Sequence, residues 1–379
     1  MTLSQSNRCS DPEWHCNVTY EGTSYDWLGA TSRDQNTGVM LGYYAAYFAT
    51  TDETVRKTIR GDVVAFVREL AKVRKAVPAR VIVNNVPLDT TLDLENVVLV
   101  PSEMTDGRVQ ISLSTSNTGD SNIRGLREFF PDFAVVVKQV IGINVPIKRP
   151  SSSTMIGAFF QMALRMSADD PAMAAVHKEL SDYYGAHANG WLDIAEGWTF
   201  DGNCGRGYFA NHIAYIMAYV YALLEKDANL SHRVVDNVLD GAMYKALRGH
   251  KNPYFTFLWG ASRSSPDRAE IDGALSQLAQ FQPGPRVRVA RDLQAAPQYL
   301  PHDTQCTAEP LCDTKTLAVD VKDRVVDDFE WQRDPWSLVD SGDEALVYPG
   351  VDYLAAYWAA RRYGFTNDDR AGTCARFGP

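Results

Sequence analysis

The chain has 379 residues, 45% of them hydrophobic and 22% charged, the balance of an ordinary globular protein with a substantial core. Its net charge of −10 excludes nucleic acid as the main partner, because phosphate contacts need a basic face. No run approaches the roughly 18 apolar residues that span a bilayer, so no membrane span is expected.

A polar loop from Trp27 to Gln35 leads into an apolar helix, Gly38 to Ala49, which is expected to be buried on every side. Thr50, Thr51, Asp52 and Glu53 then offer the spacing of a capping box. Val55, Ile59, Val63, Phe66, Val67 and Leu70 follow at intervals of three or four, a helix with one apolar stripe. Between Ala79 and Ser114 the pattern alternates instead (Val81, Val83, Leu92, Leu94, Val109, Ile111, Leu113), as in a β-hairpin or three-stranded insertion.

Met155 to Met166 is a second apolar helix, followed by a cap at Ser167 to Pro171 and an amphipathic stretch to Tyr184. Asn211 to Glu225 is the third, followed by a mixed helix around Val234, Val238, Met243 and Leu247. Tyr254 to Trp259 opens a fourth, shorter pair, closed by a helix from Asp267 to Phe281. Residues 283–345, rich in Pro, Asp and Gly, read as a long wrapping loop, either a lid or a structural clamp. Gly350 to Tyr363 is a fifth apolar helix with no partner after it.

A buried helix paired with a half-exposed one, repeated along the chain, is the unit of an α/α toroid, since no unit can bury its apolar face alone. The fold expected is therefore mainly α: one toroidal domain over 1–379, with the 79–114 β insertion and the 283–345 loop inside it. About four and a half pairs fall short of a full six-pair ring, so the ring is smaller, open, or completed by residues outside this sequence.

The six cysteines, Cys9, Cys16, Cys204, Cys306, Cys312 and Cys374, fall in polar, Gly- and Pro-rich segments. Disulfides, with Cys9–Cys16 and Cys306–Cys312 closing short loops and Cys204 pairing with Cys374, are favoured over free thiols. A metal site is the least supported reading, for want of closely spaced CxxC pairs with histidines. Disulfides point to an extracellular or periplasmic protein. The start, Met1-Thr2-Leu3-Ser4, lacks the basic and apolar regions of a signal peptide. No Gly-x-Ser-x-Gly elbow, His-Glu-x-x-His helix or EF-hand loop is present, and no cofactor is called for.

In a toroid the inner helices run parallel, so their N-termini gather at one mouth with unpaired N–H groups and positive dipole ends. Arg33 and Asp34 stand before the first inner helix, Asp201, Arg206, Tyr208, Asn211 and His212 before or within the start of the third, and Asp352 at the start of the fifth. This local wealth of basic groups favours an anionic ligand. Each has a blander reading: Arg33–Asp34 as an ion-pair cap, His212 as a core histidine, and Asp201 to Gly207 as a Gly-rich loop without the order of a nucleotide site. Glu330 to Trp336 concentrates two Trp, an Arg and two carboxylates, which places Trp331 and Arg333 over the mouth if the loop is a lid.

The blocks Trp27…Thr31-Ser-Arg-Asp-Gln35…Gly38, Phe329-Glu-Trp-Gln-Arg-Asp-Pro335 and Gly350-Val-Asp-Tyr-Leu-Ala-Ala-Tyr-Trp358 resemble secreted bacterial helical proteins of uncharacterised function. Those in turn resemble the α/α-toroid glycoside hydrolases and polysaccharide lyases. The resemblance implies an exported α/α toroid with a polysaccharide-like ligand, and the function expected is that of a secreted carbohydrate-active enzyme cleaving an acidic polysaccharide or oligosaccharide by hydrolysis or β-elimination. In elimination, Arg33 and Arg206 would neutralise a uronate, Asn211 would assist, and His212 or Tyr208 would remove the proton. In hydrolysis, Asp34 and Asp201 would be the two carboxylates. Arg333, Trp331 and Asp352 would bind substrate. The alternatives are a non-catalytic glycan-binding protein and a structural subunit of an extracellular assembly.

With three disulfides, intact mass should differ by six protons with and without reductant. Six thiols alkylated in the native protein would remove the reason for an extracellular assignment.

Overall fold

The structure, a computed structural model, describes residues 9, 14–28, 33–71, 77–83, 86–92, 109–113, 131, 149–199, 208–282, 286–299 and 318–366. They are mainly helical, with small β-hairpins. The chain divides into two compact units, Met1–Ile194 and Ala195–Pro379. No helix among the described residues is long and apolar enough to cross a membrane.

The first unit opens on a hairpin of β1 (Trp14–Tyr20) and β2 (Thr23–Leu28). Glu21 and Gly22 turn it with φ of 47° and 77°, the left-handed pair that matches the twist of hairpin strands. Cys9 and Cys16 are joined by a disulfide. The helices α1 (Arg33–Ala49) and α2 (Glu53–Ala71) follow, then β3 (Val77–Val83), β4 (Val86–Leu92) and β5 (Val109–Leu113). The strands form one sheet in the order β4-β3-β5, with β4 antiparallel and β5 parallel to β3. Then come α3 (Pro150–Ser167) and α4 (Ala174–Ala195).

Two contacts set α1 and α3 side by side and parallel. Arg33 Nη1 donates to Ser152 Oγ at 3.2 Å near both N-termini, and Tyr47 Oη donates to the Met166 carbonyl at 3.3 Å near both C-termini. α3 is buried on nearly every side, as its composition requires. α1 is not. It buries only Thr37, Met40, Tyr44 and Tyr47, while Val39 and Phe48 face solvent. Its small and aromatic residues made it read as buried all round, but only an every-third-or-fourth stripe has a neighbour. α1 also starts at Arg33, which puts Arg33 and Asp34 in its first turn and not in a loop ahead of it. The cap of α2 is Asp52, whose Oδ1 accepts the Thr54 N–H at 2.8 Å.

The second unit is built on α5 (Tyr208–Leu224), buried along both faces. A helical run follows: α6 (Ala228–His232), a π-helix (Arg233–Tyr244) and α7 (Lys245–Leu247). Next come α8 (Pro253–Ala261) and α9 (Arg268–Leu278), capped by Asn252 and Asp267. The stretch read as a wrapping loop carries two short antiparallel ladders, β6 (Arg286–Arg288) with β9 (Asp343–Tyr348) and β7 (Arg291–Asp292) with β8 (Val339–Asp340). β structure is therefore not confined to 79–114. β6, β7 and β8 are too short to show an alternating pattern, and β9 is exposed along nearly all its length, so it has no buried face to mark. α10 (Val351–Arg362) closes the unit, burying Asp352, Ala356 and Ala360 and exposing Val351, Leu354 and Trp358.

The N-termini of α5, α8 and α10 meet at Trp331, which is fully buried. Asn252 Nδ2 donates to the Trp331 carbonyl at 3.0 Å and approaches Tyr208 Oη at 3.4 Å, while Trp331 Nε1 donates to the Asp352 carbonyl at 2.6 Å. Asn252 Oδ1 also accepts the Phe255 N–H, so one amide caps α8 and ties it to the other two helices. Trp331→Ala should lower the unfolding free energy by about 3–5 kcal/mol in urea titrations. Trp331→Phe, which keeps most of the volume but loses the Asp352 bond, should fall between that variant and the native protein.

Candidate active site

A cavity of about 190 Å³ opens beside the Trp331 turn, lined by Arg288, Arg291, Arg324, Glu330, Arg333 and Asp334 among others. Two outer pairs compensate themselves. Arg288 grips Asp340 with Nε and Nη2 at 3.0 and 2.7 Å, and Arg333 Nε meets Asp327 at 2.8 Å. Deeper in, the groups are less satisfied.

Arg324, whose side chain is 4% exposed, donates Nη2 to the carbonyls of His250 and Lys251 at 2.7 and 2.8 Å. Lys251 sits at φ 51°, a left-handed conformation unusual for a residue with a side chain. Arg324 and the Lys251–Asp320 ion pair at 2.7 Å hold it there. Arg291 donates Nη2 to the Ser337 carbonyl at 2.8 Å. Arg324 Nη1, and Arg291 Nε and Nη1, have no hydrogen-bond partner among the described residues.

Glu330 completes the group. Arg286, from β6, holds its Oε2 at 3.3 Å and grips Asp352 Oδ2 at 2.5 Å. The Glu330 N–H also donates to Asp352 Oδ2, at 3.2 Å. Oε1 forms an ion pair with Arg324 Nε at 3.8 Å, beyond hydrogen-bond reach, and has no hydrogen-bond partner among the described residues. Burial pushes the Glu330 carboxyl up to about 7, against the pull of Arg324 and Arg286. Burial likewise raises Asp334 above the usual carboxylate range, while the N–H of Trp336 and Arg324 pull the other way. The site thus offers unpartnered guanidinium N–H groups beside a carboxyl that gains or loses its proton near neutrality.

Of the residues singled out from the sequence, Arg333 lines this cavity. Trp331 and Asp352 lie beneath it, both fully buried, and act by packing and by holding Arg286. Tyr208 is buried under the same turn, and burial pushes its phenol up to about 12, which keeps the proton on oxygen. Asn211 is buried on α5. His212 packs against Phe329 and Phe255, with ring centroids 5.3 and 6.0 Å away. Burial lowers its imidazolium to about 4, so the ring is neutral in ordinary buffers. Arg33 and Asp34 belong to the first unit, where Arg33 bonds Ser152 and Asp34 is exposed. Asp201 and Arg206 lie outside the described residues, as do Cys204, Cys306, Cys312 and Cys374.

Sequence reading did not single out Arg286, Arg288, Arg291, Arg324 or Glu330 as site residues. In the run Arg286-Val-Arg-Val-Ala-Arg291 the first two arginines stand two apart, the spacing of one strand face, but Arg291 does not continue it. Comparison with protein-family models, curated proteins and solved structures returned no match.

The raised Glu330 gives a signed pH effect. Between about 4.5 and 7 the native state holds a proton that the unfolded chain releases, so stability falls as pH rises through that window and levels off above it. This group's share is about 3 kcal/mol. Urea titrations should show that slope in the native protein and its loss in Glu330→Gln.

Proposed function

We propose that the protein is a carbohydrate-active enzyme that takes an acidic sugar into the arginine-lined cavity, with Glu330 as the proton donor to the leaving oxygen. The observation that carries this is the coincidence, on one cavity, of guanidinium N–H groups with no hydrogen-bond partner among the described residues and a carboxyl that burial raises to about 7. An anionic sugar meets the arginines, and a general acid near pH 7 suits glycosidic cleavage by either hydrolysis or elimination. The cavity is small beside the ~300–1,000 Å³ of sites that enclose whole drug-sized ligands, so it fits one acidic ring or its charged group.

The architecture proposed is an arc of an α/α toroid. In its support, α1 and α3 run parallel, and α5, α8 and α10 bring their N-termini to one turn. Export to an oxidising compartment is proposed on the strength of the Cys9–Cys16 disulfide. A glycan-binding protein without turnover is the second reading. It is favoured by one observation: Asp327 and Asp340, two of the cavity's other carboxylates, are already paired with Arg333 and Arg288.

The test is incubation with uronate-containing and neutral polysaccharides, following reducing ends and the ultraviolet absorbance of unsaturated products. Turnover of acidic chains alone is expected, with kcat lowered roughly 10²–10⁴-fold in Glu330→Gln. Binding of acidic chains without turnover would establish the second reading, and indifference to both glycan types would defeat the proposal.

A further inference from the structure

The partnerless atoms of the cavity define a more specific ligand than an anion in general. Among the described residues Arg291 Nη1, Arg324 Nη1 and Glu330 Oε1 have no hydrogen-bond partner, Oε1 having only the 3.8 Å ion pair with Arg324 Nε, and all three residues line one cavity. The Arg324 and Glu330 side chains are only 4% and 6% exposed, so water does not satisfy these atoms cheaply. Two donors alone would suit any oxyanion. A carboxyl oxygen beside them does not, because an ionised Glu330 repels an incoming anion while a protonated one becomes a third donor.

We infer that the cavity captures a carboxylate together with a proton: the ligand's oxygens meet Arg291 Nη1 and Arg324 Nη1, and Glu330 Oε1 carries a hydrogen shared with the ligand. A carboxylate accepts such a shared hydrogen strongly, being close to Glu in basicity, whereas a sulfate ester is far too weak a base. The charges facing Glu330 are Arg286 from β6, Arg291 from β7, Arg324 after the Val321–Asp323 turn, and Asp352 at the start of α10. Arg286 is shared with Asp352 through the 2.5 Å contact, and burial of Glu330 outweighs the pull of Arg324 and Arg286 on its carboxyl. With its carboxyl poised at about 7, Glu330 is mostly ionised in the empty site at pH 8 and must take up a proton when the ligand arrives.

The inference rests on the acidic-sugar reading for the ligand's identity but not for the chemistry of the site: the one Glu330 hydrogen is shared with the ligand's carboxylate on binding and must leave it to reach the leaving oxygen in turnover. The experiment is titration calorimetry of the whole protein with glucuronate, acetate and sulfate, in buffers of different ionisation enthalpy. The expected result is uptake of about one proton per carboxylate bound at pH 8, with affinity falling about tenfold per pH unit above 7. Glu330→Gln, which keeps a donor but cannot ionise, should bind with no proton uptake and a flat profile over the same range. Arg291→Ala should weaken binding at least tenfold with an unchanged melting temperature. Proton-linked binding of acetate but not glucuronate would uphold the carboxylate site and remove the sugar. Glycan turnover without proton uptake would do the reverse. Sulfate binding as well as carboxylate, the same pH profile in Glu330→Gln, or no carboxylate binding at all would each overturn the inference.

Discussion

Arg286 is the constraint from which the second unit takes its shape. Its guanidinium is buried between Asp352 and Glu330, and a buried charge must be paired or it unfolds what surrounds it. The pairing joins a short strand, a turn and a helix start that lie dozens of residues apart. Asp352 strengthens it by also accepting the Glu330 N–H. Burial raises the Glu330 carboxyl, against the pull of Arg324 and Arg286 and with a smaller push from Asp352. Proton sensitivity at this position follows from the architecture and needs no catalytic purpose to explain it.

The arginines divide by depth into two kinds. Arg288 and Arg333 are partly exposed and locked to their own aspartates, contacts that in high dielectric add little to stability. They keep the rim electrically quiet. Arg291 and Arg324 give Nη2 to backbone carbonyls, and Arg324 gives Nε to another, which leaves Arg324 Nη1 and Arg291 Nε and Nη1 without hydrogen-bond partners among the described residues. Their positions are fixed by main chain, so they hold their place whether or not a ligand is present, the preorganisation that favours tight recognition.

Helices were legible in the sequence because their apolar spacing reports burial directly. α3, α5 and α8 are buried where the spacing requires, and α2 shows its single stripe. α1 and α10 misled because Ala, Gly and Tyr tolerate either side of a surface, so their composition did not reveal that one face lacks a neighbour. The cavity was only half legible. Trp331 and Arg333 stood out as aromatic and basic residues in a dense block, and Glu330 lay in that block. Arg286 and Arg291 sit in strands of three and two residues, with no period to mark a face, and Arg324 follows a single turn and is placed by the carbonyls of His250 and Lys251.

Tyr299 shows how a residue outside the cavity governs one inside it. Its hydroxyl accepts the Asp320 N–H and donates to Asp323, and its ring packs with Val319 and Leu338. The stretch that it holds by both ring and hydroxyl runs directly into Arg324. A tyrosine that does not line the cavity therefore sets where one of the cavity's arginines begins.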